Sequence, residues 1–525
     1  MARERGPKSL RFSAFDIGSF PRGVAASNQV AYLRSYLADL EAKSILEEPQ
    51  YFDRDYLAEF TAFYGTSARG YTNVCRRLHL FSTALPDLRV WVARAMAGDA
   101  TSRHALQEHY LGFVIIRPTV ATPFGRTVLR WYPETKPATP RVTSPSRPYE
   151  TNVAGIRLTV RGLAWQQQDT AVGACATVAL WSMFHSSALD EHHSIPTTAD
   201  VTKAANEGWS IGRRPFPAGH GLQITQMCEA IRAQDLAPAV FEGDRRTSSV
   251  GPFFSPARFR STCAALLRSG YPLLIGALVL EDDGAGGYRQ AGGHAVCAVG
   301  FRTALTPTVP AGSALEDDGA LEHIYIHDDN LGPSVRFRVL DVPPPVGQTG
   351  EAFVALVADP PPPLKRPAET PDPTRDYVKL VPTTLVAALP DEIRMSSDLL
   401  HDAALGLAST VSKWLENASA GNLPGLTFGM RFFRVKDYVG NELAARVSGR
   451  ALAKARLALA TRVRPMSLHV GVIRIGIDGR PWFDVLYDTT DSEPATLAFA
   501  HVVFQPGGLP PVLEGIDLGV RVRAI

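Results

Sequence analysis

The chain has 525 residues, 45% apolar and 20% charged, with 54 basic and 52 acidic side chains and a formal net charge of +2. That length predicts two or three domains, and a mean hydropathy of −0.04 predicts an ordinary globular protein. Balanced charge gives no electrostatic reason for a nucleic-acid or anionic-membrane partner, and no apolar run approaches the roughly eighteen residues of a membrane span.

The amino terminus, Met1 to Lys8, lacks the apolar core of a secretory leader, so none is expected. The five cysteines are Cys75, Cys175, Cys228, Cys263 and Cys297. They are scattered, odd in number and never in a CxxC spacing, which predicts neither a disulfide framework nor a zinc site. A reducing, cytoplasmic setting is expected.

Residues 1–150 read as an accessory region, helical and then a strand pair. Gln29 to about Glu48 carries apolar residues at helical spacing, and Tyr56–Tyr64 and Val74–Leu85 read similarly. Tyr110–Pro118 and Gly125–Trp131 read as paired strands, followed by a Pro/Thr/Ser-rich stretch from Pro133 to Pro148. Residues 151–358 carry the chemistry. Val153–Arg161 reads as a strand. Helices are expected over Ala174–Ser186, over Ala199–Glu207 capped by Thr198, over Gly221–Ala233, and over Pro256–Arg268 stopped by Gly270. Strands follow over Tyr271–Leu280, Ala295–Phe301, His323–Asp328 and Val335–Leu340, predicting an α+β layout with an antiparallel sheet. A proline-rich linker is expected over 359–375, and 376–525 reads as a C-terminal α+β domain. Its expected helices are Leu399–Asn417 and Asn441–Thr461, and its strands Leu468–Ile477 and Trp482–Tyr487.

Three segments stand out. The first is Trp165-Gln-Gln-Gln-Asp-Thr-Ala-Val-Gly-Ala-Cys175, leading into an apolar helix; the second is Gly292-Gly-His294-Ala-Val, entering an apolar strand; the third is Ile324-Tyr-Ile-His-Asp328-Asp-Asn, closing a strand. A thiol hydrolase needs these parts: an oxyanion donor, a nucleophile, a base and a group that orients the base. A helix N-terminus after Gly173 favours a thiolate at Cys175. Gln166, Gln167 and Gln168 all lie in reach as amide donors, with Gln168 the nearest. Asp328 is the first choice of acid for His294, and Asp329 and Asn330 are alternatives. His185, His192, His193, His220, His323 and His327 lack this combination of strand entry and following acid. Arg117 and Arg126 could meet a substrate carboxylate, although a structural role is the plainer reading. Glu191-His-His193 and His323…His327 lack a third ligand for a metal. Gly284–Gly287 is no phosphate loop and is expected to form a flap before His294.

The order Gln…Cys…His…Asp, the Gly-Gly-His-Ala-Val entry and the Asp-Asp-Asn-x-Gly end resemble papain-like cysteine peptidases, with the bacterial C39-like branch nearest, over residues of about 150–345. The resemblance implies a helical lobe bearing Cys175 against a sheet bearing His294 and Asp328, with the site between them. It also implies amide hydrolysis through a thioester without a metal or organic cofactor. Carried over, Gln168 is the oxyanion glutamine, Cys175 the nucleophile, His294 the base and acid, and Asp328 the orienter. The chain departs from the family where Asp169 stands six before the cysteine and Gln168 seven, where Ala176 replaces an aromatic residue, and where an aspartate replaces papain's asparagine. The expected function is therefore a cysteine protease or isopeptidase acting on a protein or peptide, with possible partner proteins on the flanking regions. The alternatives are a silent papain-fold binding or scaffold protein, and a transglutaminase-like acyl transferase with the same triad.

Overall fold

The computed structural model describes residues 10–133, 141–143, 146–169, 174–189, 193–208, 221–244, 252–282, 288–303, 314–316, 321–342, 352–359, 378–418, 424–462, 467–478, 480–490, 498–505 and 520–523. Gly173, the Gly284–Gly287 segment, His192, His220 and the proline-rich stretch from Pro360 lie outside them.

The N-terminal region is a five-stranded antiparallel meander: Arg11–Ala14, Ser44–Tyr51, Cys75–Phe81, Tyr110–Ile116 and Phe124–Leu129. One face receives the Asn28–Asp39 helix, capped by Ser27, whose hydroxyl accepts the Val30 N–H. The other face receives the Leu85–Met96 and Ala100–His109 helices. Val114 and Ile116 enter the first core, and Phe113 and Ile115 the second. The helices expected over Gln29–Glu48 and Val74–Leu85 are corrected: the first stops at Asp39, and Ser44–Tyr51 and Cys75–Phe81 are strands, whose polar side chains pair with one another, as Arg77 and His79 do with Glu48.

The expected boundary at 150 falls inside a hairpin, Arg147–Val153 with Ile156–Gly162. Ala154 (φ 49°) and Gly155 (φ 80°) form its two-residue loop, both with the positive φ that a type I′ turn requires. Four helices follow: Cys175–Phe184, Thr198–Asn206, Ile224–Arg232 and Pro256–Arg268. The second is capped by Thr197 rather than Thr198, through a reciprocal capping box with Asp200.

The second sheet closes on itself. Leu273–Asp282 pairs with Tyr288–Thr303, which pairs with Leu321–Asp328; Gly332–Val342 and Phe353–Ala358 come next. Val378–Pro390 completes the ring by pairing with Leu273–Asp282 along most of its length and with Phe353–Ala358 at Leu356↔Leu380. Leu236–Glu242 pairs with that same closing strand. The division expected at 376 is thus corrected: the strand after the proline-rich stretch belongs to the central barrel, and the C-terminal layer begins beyond Pro390.

That layer is a six-stranded sheet whose four inner strands, Leu426–Arg434, His469–Ile477, Arg480–Asp488 and Ala498–Val503, are antiparallel. Ala314–Glu316, sent out from the barrel, adds a parallel edge strand, as does Val520–Arg523 at the opposite side. The Ser397–Ala418 and Gly449–Arg462 helices pack on this sheet. The whole is an α+β fold built on antiparallel sheets, and no helix among the described residues is long and apolar enough to cross a membrane.

Candidate active site

The Cys175–Phe184 helix is largely apolar, and Ala176 to Phe184 are all buried, Thr177 and Ser182 among them. It packs against the Tyr288–Thr303 and Leu273–Asp282 strands of the barrel. Cys175 is its first residue. Ala174 caps it and has no side chain that could accept a hydrogen bond from the first turn, whose N–H groups and positive potential lie at the thiol's end of the helix. Of the five cysteines, Cys175 alone is not fully buried. Burial pushes the Cys75, Cys228, Cys263 and Cys297 thiols up from their ordinary range.

His294 stands opposite Ala277 in the ladder, two steps past a bulge where Val279 pairs with Gly292 and Leu280 with Gln290. Gly292 (φ 151°) has nothing within 4 Å of where a Cβ would lie, so its glycine serves the bulge rather than a close backbone approach. On the other side, pairing with Leu321–Asp328 reaches Cys297↔His327 and stops. Asp328 therefore projects beside His294 at the strand's end, where the chain turns back at Asp328↔Gly332.

The result is a tight cluster. His294 Nε2 lies 3.2 Å from Asp328 Oδ1 and 3.6 Å from Asp329 Oδ1, with only 9%, 5% and 2% of the respective side chains exposed. Burial opposes charge on the imidazole, but the two carboxylates and the hydrogen bonds to Asp328 and Cys175 outweigh it, raising the His294 pKa well above its ordinary value. Asp328 also accepts the Asn330 N–H at 2.8 Å, and its backbone oxygen accepts the Trp165 indole N–H at 3.0 Å. Asp329 is buried with no hydrogen-bond partner on Oδ2; burial, then repulsion from Asp328, pushes its carboxyl up to about 7 against the pull of His294.

The three glutamines separate cleanly. Gln166 donates to Glu59 at 3.0 Å, and Gln167 accepts the Phe124 N–H at 3.3 Å, both buried against the N-terminal region. Gln168 alone faces the histidine: its amide donates to Asn330 Oδ1 at 3.0 Å, and Asn330 Nδ2 is 3.4 Å from His294 Nε2. One N–H of the Gln168 amide is thereby engaged, and the amide carries two.

The structure thus brings Cys175, His294, Asp328 and Gln168 together, with Asp329 and Asn330 beside them. His327 is excluded: its Nδ1 accepts the Ser334 N–H at 2.9 Å and its Nε2 faces Leu163 O at 3.1 Å. Burial holds it neutral, with a pKa of about 4. His185 and His193 sit at the far end of the Cys175–Phe184 helix, on Tyr149 and the Phe184 carbonyl. Arg117 and Arg126 are structural, paired with Glu59 and with Asp53 and Asp55.

His294, Asp328 and Asp329 place donor atoms within 4.8 Å of one another and are the set that could hold a divalent cation among the described residues. Ligand spacing along the sequence points elsewhere, to Glu191-His-His193 and His323…His327, because His294 and the Asp328-Asp329 pair are brought together only by the pairing of their strands. Spacing also misses Glu59 and Tyr64, which grip the glutamine segment from more than a hundred residues away in sequence. An acid on a helix with apolar flanks was the one visible hint.

No protein-family model matches the sequence, and no curated protein matches it.

Proposed function

We propose that this protein is a papain-like cysteine hydrolase that cleaves an amide bond in a protein or peptide through a thioester on Cys175. The observation that carries the reading is the placing of a buried, charge-favoured imidazole between a thiol at a helix N-terminus and a carboxylate 3.2 Å away. An imidazolium beside a thiol at a helix start favours the thiolate, the attacking form. The thiolate adds to the substrate carbonyl, and the Cys175 N–H with the Gln168 amide holds the developing oxyanion. His294 then gives its proton to the leaving amine, and later takes one from the water that releases the acyl group. Asp328 fixes the imidazole's orientation throughout. A helical lobe against a closed antiparallel sheet supports the same reading, and the five unpaired thiols fit a reducing compartment.

A second reading, a binding protein with a silent papain-like centre, draws on the Gln168–Asn330 bond, which occupies part of the amide. Limiting iodoacetamide, read by intact mass between pH 5 and 9, separates the two. A fast adduct on Cys175, slowed by His294→Ala and absent in Cys175→Ala, is expected. Labelling of Cys175 that ignores His294→Ala would leave the silent reading in place. With a turned-over substrate in hand, an added amine that appears in the product would point to acyl transfer instead of hydrolysis.

A further inference from the structure

We propose that the Arg54–Tyr64 segment is a clamp that positions the oxyanion glutamine, making the N-terminal sheet region a working part of the catalytic centre; this rests on the thiol-hydrolase reading above.

The segment begins as an α-helix, Arg54–Glu59, capped by Asp53, and widens into a π-turn, Phe60–Tyr64, closed by the Gly65 N–H on Phe60 O at 2.7 Å. Such i→i+5 turns are rare and concentrate at functional sites. Residues five apart on a regular α-helix diverge by about 140°. The wide turn brings Tyr64 back to the face that carries Glu59, and both side chains reach the same strip of chain. Glu59 accepts from Gln166 Nε2 at 3.0 Å, and the Tyr64 hydroxyl donates to the Asp169 carboxylate. Between these anchors, Arg117 pairs with Glu59 at 3.3 Å and donates to the Gln167 carbonyl at 3.0 Å. Upstream, Trp165 bridges Thr127, and the Gln167 N–H donates to Phe124 O at 3.0 Å.

Positions 166, 167 and 169 are therefore each bound to the N-terminal region, while the side chain between them points to Asn330 and His294. Gripping both neighbours of Gln168 fixes its backbone and leaves only its side-chain torsions to adjust. An oxyanion donor works by being in place before the charge appears, within about 0.5 Å of its productive position. Glu59 and Tyr64 touch no reacting atom; they are positioning residues.

The test compares two reactions of Cys175 that share the thiolate and differ in the oxyanion. With p-nitrophenyl acetate, sulfur attacks the ester carbonyl, the carbonyl oxygen takes the negative charge, and the C–O bond breaks to release nitrophenolate and leave an acetyl thioester. With iodoacetamide, sulfur displaces iodide at a saturated carbon and no oxyanion forms. The ratio of the two rates, corrected with Cys175→Ala, reads the oxyanion donors alone. Gln168→Ala is expected to lower the ratio by ~100-fold. Tyr64→Phe and Gln166→Ala, each releasing one anchor, are expected to lower it by ~10-fold with alkylation unchanged. The two anchors are substituted separately, so loss of fold in one leaves the other to decide. A wild-type ratio in both anchor variants, with the ratio lowered in Gln168→Ala, would refute the clamp and spare the oxyanion assignment. An unchanged ratio in Gln168→Ala would remove that assignment and the clamp together. Acylation and alkylation falling by the same factor in the anchor variants would show a purely structural role and also refute the clamp.

Discussion

Replacing Asp328 with asparagine keeps the shape of the acid and removes its charge. At 3.2 Å, in an effective dielectric of about 20, the Asp328–His294 attraction is roughly 5 kcal/mol before desolvation is set against it. Both side chains are more than nine-tenths buried, so part of that energy is already spent on desolvation, and Asp329 remains 3.6 Å away in the variant, its carboxyl raised to about 7 and so only partly charged at the assay pH. The His294 pKa falls in consequence, since the largest of the carboxylate contributions that hold it up is removed. The sign is fixed: the carboxylates raise the imidazole's pKa, so removing one lowers it. The thiol and imidazole then share one proton less favourably as a thiolate–imidazolium pair and more as the neutral couple. Alkylation of Cys175 by limiting iodoacetamide between pH 6 and 7 should fall by ~10-fold or more, with the gap to wild type narrowing toward pH 9. Alkylation at the wild-type rate throughout pH 6–7 would refute the argument, because Asp328 would then contribute no charge that Cys175 can feel.

Asp329 gives a stability test with the opposite chemistry. Its folded carboxyl is raised to about 7 from an ordinary 3.8, so the stability associated with its protonated form is full below the ordinary value and is lost as pH rises through about 7. Asp329→Asn should therefore raise the melting temperature at pH 8 by about 2–4 °C and by progressively less toward pH 4; a uniform gap across that range would contradict the assignment. Gly332 closes the acid turn against the N-terminal helix, where an added Cβ would lie 2.2 Å from Tyr32 Cδ1. Gly332→Ala should cost about 1–3 kcal/mol in urea unfolding, because a half-buried ring packed against the apolar clusters on both sides cannot step aside freely. The reverse is expected in the Ser397–Ala418 helix, where Gly406 has open space around it: Gly406→Ala should gain about 1 kcal/mol, and a loss there would show that the helix is not formed as described.

The candidate site was legible because its signals are local. A thiol opening an apolar helix, a histidine entering an apolar strand and an acid closing the next each declare their backbone setting within a few residues. The choice among Gln166, Gln167 and Gln168 was not legible, since it depends on Glu59 and Phe124, partners far off in sequence. Helices with clear stops, such as Pro256–Arg268 before Gly270 (φ 94°), were read to the residue. Cys75–Phe81 was misread although Arg77-Leu78-His79-Leu80 alternates in polarity: all four are buried, Arg77 and His79 on Glu48, so the polar positions mark an internal ion-pair cluster and no solvent face. The proline-rich stretch looked like a boundary because composition marks local chain character and is blind to where the following strand docks.

That docking bears on how the protein is made. The N-terminal meander is complete once Leu129 has left the ribosome, and the Cys175–Phe184 helix soon after, but the ring that carries His294 waits for Pro390. Until then Leu273–Asp282 has an uncovered edge, an adhesive surface for other chains. A nascent chain stalled or truncated before Val378 would carry its nucleophile beside an unfinished base, so assembly of the centre is tied to synthesis through Pro390, about two hundred residues past Cys175.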